Sequence, residues 1–351
     1  MTFLYVGAYT EPQGRAEGIG VYCFDHKNGA LDHVQTVTDI TNPSFLAVSP
    51  DGRFLYAVCE SEGGAVAALS RDPESGKLVE INRQSSGGNG PCYVSVEASG
   101  QYALVANYGG GSIAALPIAA DGSLEPATSV VQHEGSSVNP DRQGEAHAHM
   151  IAPTPDGLHV FTTDLGMDEI VGYSLDAASG QLVPNGEAGA TSHPGAGPRH
   201  FAFAPDSGMA FVINELDSTL TAYDYDAETG RLDSRQTVST LPDTFDGENT
   251  TAHILVSPDG RFVYGSNRGH DSIAIFAIHP ESHDLIAIGH ASSRGRTPRN
   301  FALDPSGEWL LAANQDSDTV VAMRRNARTG LLSDPETVSN IASAVCLVFC
   351  E

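Results

Sequence analysis

The stretch Asn42–Glu60 reads NPSFLAVSPDGRFLYAVCE: an apolar run, a Pro-Asp-Gly turn and a second apolar run. Two short strand-forming segments joined by such a turn make a β-hairpin, because aspartate bonds the turn backbone and glycine takes its left-handed position. The plan recurs as GPCYVSVEASGQYALVANY from Gly90, HAHMIAPTPDGLHVFTTDL from His147 and GPRHFAFAPDSGMAFVINE from Gly197. It returns as TAHILVSPDGRFVYGSNR from Thr251 and TPRNFALDPSGEWLLAANQ from Thr297.

Two further runs usually follow each hairpin, joined by a second turn, as in GAVAALSRDPESGKLVEI, DEIVGYSLDAASGQLVP and STLTAYDYDAETGRLDS. No segment shows helical periodicity. A unit of four strands repeating every ~50 residues is the mark of a β-propeller blade. The N-terminal stretch from Phe3 supplies three strands and lacks the leading one, while NIASAVCLVFCE at the C-terminal end is a lone strand. Joining the two gives an all-β, seven-bladed β-propeller of four-stranded blades, closed by its last strand. Residues 1–351 are then expected to form one domain, with no open sheet edge left to aggregate.

Composition narrows the partners. The chain has a formal charge of −26, and Lys27 and Lys77 are the only lysines among 18 basic residues. Such a surface repels DNA and anionic membranes, so neither nucleic acid nor membrane is expected as a partner. An anion site must then be a local cluster of arginine and histidine. An acidic, lysine-poor surface also suits a high-salt environment. No apolar run approaches the length of a membrane span, and the N-terminal segment reads as a strand rather than a signal peptide. The five cysteines (Cys23, Cys59, Cys92, Cys346 and Cys350) include no C-x-x-C pair, which fits reduced thiols and a cytoplasmic location.

Aligning the repeats on the turn proline, or on Ala98 in the degenerate copy, picks out one end of the disc. Six residues before it lie Ser44, Cys92, His149, Arg199, Ala252 and Arg299, at the start of the innermost strand. Nine residues after it lie Cys59, Asn107, Asp164, Asn214, Asn267 and Asn314, and ten after it Glu60, Tyr108, Leu165, Glu215, Arg268 and Gln315. The start of one strand and the end of its hairpin partner share one end of a blade, so these positions gather near the axis. The two longest connections, QHEGSSVNPDRQGEA and STLPDTFDGENTT, rim the same face. A rigid repeat with polar residues that differ from blade to blade is what a ligand site on a symmetric scaffold needs.

Arg199, Glu215 and Arg268 are the hardest of these to explain as scaffold, because a buried charge without a function or partner is costly. Asparagine and aspartate at strand ends commonly satisfy turn backbone instead. His200 and His253 fall five before the proline, so strand alternation turns them away from the axis, as interstrand histidines. His147 shares the strand parity of His149 and can assist it.

The segments HAHMIAPTPDG, GPRHFAFAPD with FVINELDS, and SNRGHDS resemble the cytoplasmic 6-phosphogluconolactonase propeller family, which includes the fungal carboxy-cis,cis-muconate lactonizing enzyme. The resemblance spans essentially the whole chain. It implies a catalytic cluster at His149, Arg199, Glu215 and Arg268, the residues the alignment had already marked.

The leading expectation is hydrolysis of a small anionic sugar δ-lactone, 6-phosphogluconolactone, without cofactor or metal. His149, backed by Glu215, would take the proton of water. One of Arg199 and Arg268 would face the oxyanion, and the other would hold the anion with Arg299 or His200. His147, His253, Asn214, Asn267 and Gln315 complete the substrate-binding set. Zinc would need a third ligand such as His253 or Glu215, and calcium would need the ring of Asn107, Asp164, Asn214 and Asn267 to face the axis. Two alternatives stay open: a muconate-type cycloisomerase using the same arginines, and a non-catalytic propeller that binds a protein on its polar face.

Overall fold

The computed structural model describes residues 1–206 and 208–351. They build seven four-stranded antiparallel sheets arranged as a seven-bladed β-propeller. In the first blade the strand Ala344–Cys350 pairs with Phe3–Ala8, so both ends of the chain share one sheet and the ring is closed.

Burial follows radial position. The second strands Phe3–Ala8, Tyr102–Asn107, Met209–Asn214 and Trp309–Asn314 are buried along their whole length, since neighbouring blades cover both faces. That is why they read as continuous apolar runs. The outermost strand Leu78–Ser85 is mostly solvated and carries charge. The core consists of seams between blades. At the closing seam Leu4 and Val6 meet Trp309, Leu311 and Val320, and each such side chain contributes about 1.5–3 kcal/mol when fully buried. Trp309 is wholly buried, and its indole N–H donates to the His26 carbonyl at 2.9 Å.

The Pro-Asp-Gly turns close as their chemistry requires. Gly52 has φ 71° and donates to the Ser49 carbonyl at 2.9 Å, a conformation that a Cβ would strain. Asp51 accepts from the Ser49 hydroxyl at 2.7 Å and the Arg53 amide at 3.1 Å.

At the opposite end of the blades the innermost strands depart from regular pairing. Ala148 pairs with Asp164 and Met150 with Thr163, leaving His149 as an extra residue. Arg199, Cys92 and Arg299 are the extra residues in the fifth, third and seventh blades, and Val345 in the first. The sixth blade has its irregularity between Thr251 and Ile254. Such a bulge breaks alternation and re-aims side chains, so two consecutive residues can face the same way. Among the described residues no helix is long and apolar enough to cross a membrane.

Candidate active site

Five of the six-before residues and three of their successors line one void on the axis. It measures about 10 Å³ and is lined by Ser44, Phe45, Glu60, Cys92, His149, Arg199, His200, Arg299, Asn300 and Val345. A space of that size holds one water. Nearer the rim, a recess of about 600 Å³ is lined by Glu248, Asn249, Thr250, Arg268, Gly269 and Thr297. A third cleft, about 350 Å³ between the fifth and sixth blades, lies at the turn end and has a chiefly apolar lining that includes Met209, Phe262 and Ile278.

Glu215 organises the charges. Its Oε1 meets Arg142 Nη2 at 2.6 Å, and its Oε2 meets Arg199 Nε at 2.8 Å and Arg268 Nη2 at 2.9 Å. Burial alone would raise this carboxyl, but Arg268, Arg199 and Arg142 overcome it and hold it well below the usual carboxylate range. Arg199 also donates from Nη1 to the Ala252 carbonyl at 2.5 Å, and Arg268 from Nη2 to the Thr251 carbonyl at 2.6 Å. Arg299 donates to the Tyr9 hydroxyl at 3.0 Å and lies over the Tyr9 ring, with no carboxylate in ion-pair contact among the described residues. Four guanidiniums against Glu215 and Glu60 leave a surplus of two positive charges at the axis of a chain carrying −26.

His149 is 4 % exposed. The Cys92 thiol donates to its carbonyl at 3.2 Å, and its ring meets those of Tyr108 and His200 edge-on. Burial, then Arg199 and Arg299, hold this imidazole well below its ordinary pKa. His147 stacks on Tyr108 and donates from Nδ1 to the Tyr108 carbonyl at 3.0 Å, so it flanks the site rather than entering the void.

Alternation placed His200 and His253 away from the axis; the bulge at Arg199 overturns that for His200, while His253 keeps its interstrand position. His200 lines the void, 3.3 Å from Arg199 Nη1 and 2.8 Å from His253 Nδ1. A guanidinium can only donate, so His200 Nε2 accepts, its Nδ1 carries the proton, and that proton is given to His253 Nδ1. The expectation that His253 binds substrate is corrected too. It packs between His200 and Phe301, behind the void.

Asn214 and Asn267 are also corrected as substrate-binding residues. Both are completely buried. Asn214 donates to Thr219 Oγ1 at 2.8 Å and Thr221 Oγ1 at 3.1 Å. Asn267 donates to the Thr240 carbonyl at 2.8 Å and accepts from Thr240 Oγ1 at 2.7 Å. Asn107 and Asn314 bond loop carbonyls likewise, and Asp164 binds His133 and three backbone amides. The amide nitrogens of this ring tie strands to loops, while the buried Oδ1 atoms of Asn107, Asn214 and Asn314 have no hydrogen-bond partner among the described residues. Among the described residues no group of three or more His, Cys, Asp or Glu side chains is arranged to hold a metal. Gln315 opens the short 3-10 turn Gln315–Ser317, and its buried Oε1 has no hydrogen-bond partner among the described residues.

Three participants were not in the candidate set. Arg142 lies on a connection already read as rimming this face, Glu60 shares the alignment column of Glu215, and Tyr9 joins Arg299 to Glu60.

The buried histidines give the fold a pH dependence of definite sign. Burial, then Arg199, push His253 down to about 3, and burial lowers His149 and His200 in the same direction. Stability from keeping them neutral is full above the unfolded histidine pKa of about 6.5 and is lost as pH falls toward the folded values. Glu215 acts in the same sense, its contribution being lost below the ordinary carboxylate range. The melting temperature is therefore expected to decline below about pH 6.5 and more steeply below about 4.5. A calorimetric midpoint that stays flat between about pH 8 and about pH 4 would contradict this.

Residues 3–349 match the family model described as lactonase, 7-bladed beta-propeller. A 6-phosphogluconolactonase of Bacillus subtilis is 37% identical over 350 residues, covering 98% of this chain and 97% of the relative. One from Formosa agariphila is 35% identical, with 94% of each chain covered. Among solved structures, the periplasmic gluconolactonase of Pseudomonas aeruginosa superposes with a TM-score of 0.94 at 34% identity, covering 100% of this chain and 99% of the other.

Proposed function

Because the chain belongs to the lactonase seven-bladed β-propeller family, we propose that its axial site hydrolyses an anionic sugar lactone, 6-phosphogluconolactone, to the open-chain acid. It is a lactonase, an enzyme that breaks a ring ester with water. The observation that carries the substrate is the surplus of positive charge at the axis of a strongly acidic protein. A phosphate dianion matches that surplus, and guanidinium is the group suited to hold it through paired hydrogen bonds.

Depth divides the labour among the arginines. The void is too small for a phosphate, whereas the rim recess beside Arg268 is ample. Arg268, with the partly exposed Arg142, therefore takes the phosphate. Arg199 and Arg299, at the void, face the lactone carbonyl and stabilise the oxyanion that forms when it is attacked. Glu215 is not a base, because three guanidiniums keep its proton off. Instead it fixes the arginines in the geometry the transition state needs. The neutral imidazole of His149 orients the attacking water and substrate oxygen. Five free cysteines suit a reducing, cytoplasmic compartment.

The test is the rate of 6-phosphogluconolactone hydrolysis by purified protein, measured against the spontaneous rate with and without EDTA. A large acceleration, unchanged by EDTA and much reduced on the unphosphorylated lactone, is expected. No acceleration over background would sink the assignment, and equal rates on both lactones would remove the phosphate from it.

A further inference from the structure

The two carboxylates at the ten-after position are in opposite circumstances. Glu215 is bound by three guanidiniums. Glu60 lines the one-water void itself, and its hydrogen bonds come from two neutral hydroxyls: Tyr9, at 3.0 Å from Oε2, and Ser44. No ion pair engages Glu60 among the described residues. Arg299 reaches it only through Tyr9, donating to the phenol oxygen while the phenol donates onward to the carboxylate. Burial pushes the Tyr9 phenol up to about 12, so it stays a donor.

Resting on the lactonase reading above, we propose that Glu60 is a further catalytic residue: it takes the proton from the water in the axial void and delivers it to the departing ring oxygen. Water gives one proton to the carboxylate as its oxygen bonds to the lactone carbonyl carbon, producing a tetrahedral oxyanion opposite Arg199 and Arg299. The carbon–ring-oxygen bond then breaks. The ring oxygen leaves with the electron pair and takes the proton held by Glu60, becoming a hydroxyl. The new carboxylic acid loses its own proton to solvent, so Glu60 ends ionised as it began.

The competing acceptor is His149, and its surroundings oppose the task. An imidazolium there would form in a buried space beside Arg199 and Arg299, adding a third positive charge to two. Protonating Glu60 costs its attraction to Arg299, but it yields a neutral acid rather than a buried cation and leaves the guanidiniums free for the oxyanion.

Kinetics of Glu60→Gln test this, with folding checked by thermal melting. Its kcat is expected to fall about 10²-fold while KM changes little, because amide and carboxylate occupy the same space but only one accepts the proton. Glu60→Asp is expected to recover part of the rate, and added formate to restore turnover in Glu60→Ala. A folded Glu60→Gln protein with kcat within about threefold of wild type would overturn the proposal while leaving the lactonase reading intact. So would loss of turnover in His149→Gln together with full formate-independent turnover in Glu60→Ala. A wild-type protein that does not accelerate lactone hydrolysis would overturn both readings.

Discussion

Glu215→Gln is expected to lower kcat/KM by about 10³-fold or more and to cost about 3–5 kcal/mol of folding stability. Both losses have one origin. The carboxylate is the shared counter-charge of Arg142, Arg199 and Arg268, and Arg199 has only 2 % of its side chain exposed. Glutamine keeps the shape but removes the charge, and its amide N–H₂ points a donor at guanidiniums that can only donate. Three cations then crowd the axis without compensation, and repulsion spreads them from the positions that meet the phosphate and the carbonyl. Steady-state kinetics and a thermal melt on the same preparation check the two halves. A variant that melts like wild type and turns over within tenfold would show that Glu215 does not organise the site.

Arg199→Lys is expected to reduce kcat by about 10²–10³-fold with a smaller change in KM. The charge is conserved, so the result isolates geometry. Arg199 uses Nε for Glu215 and Nη1 for both the Ala252 carbonyl and His200 Nε2, which leaves its remaining donor face for the substrate. A lysine ammonium is a compact point charge and cannot occupy those directions together. If it keeps Glu215 it abandons the carbonyl, and the oxyanion loses a fixed donor. The His200–His253 pair also loses the donor that sets its tautomer. An effect confined to KM would mean that Arg199 holds the substrate's anion rather than its carbonyl, which would reverse the depth assignment.

Much of the fold, and part of the site, is legible in the sequence. The Pro-Asp-Gly hairpins fixed both fold and register, because turn chemistry marks where each strand ends and the blade interior demands an apolar second strand. Counting from the turn proline then located Arg199, Glu215, Arg268 and Arg299 correctly, since all blades share one geometry. Counting failed where geometry is not shared. Alternation assigned His200 to the wrong side because an extra residue at Arg199 shifts the strand by one, a bulge marked in the sequence only by the Gly197-Pro198 pair before it. The asparagine column named the right strand ends, but what those side chains meet is set by loops such as that around Thr240, which pattern cannot place. Arg142 belongs to one of the two long connections, which lie outside the repeated strands, so no column of the alignment contains it.

The single extra residue in five of the innermost strands opens a route to engineering. It makes no partner in the ladder, so its identity is uncoupled from the pairing that holds the blade together. The ring thus works as a set of interchangeable sockets around one well. Two of them now hold small side chains, at Cys92 and Val345, and both line the void. Polar groups installed there would face the same void as Arg199 and Arg299 without removing a ladder pair, so a redesign toward other small acids begins at those two.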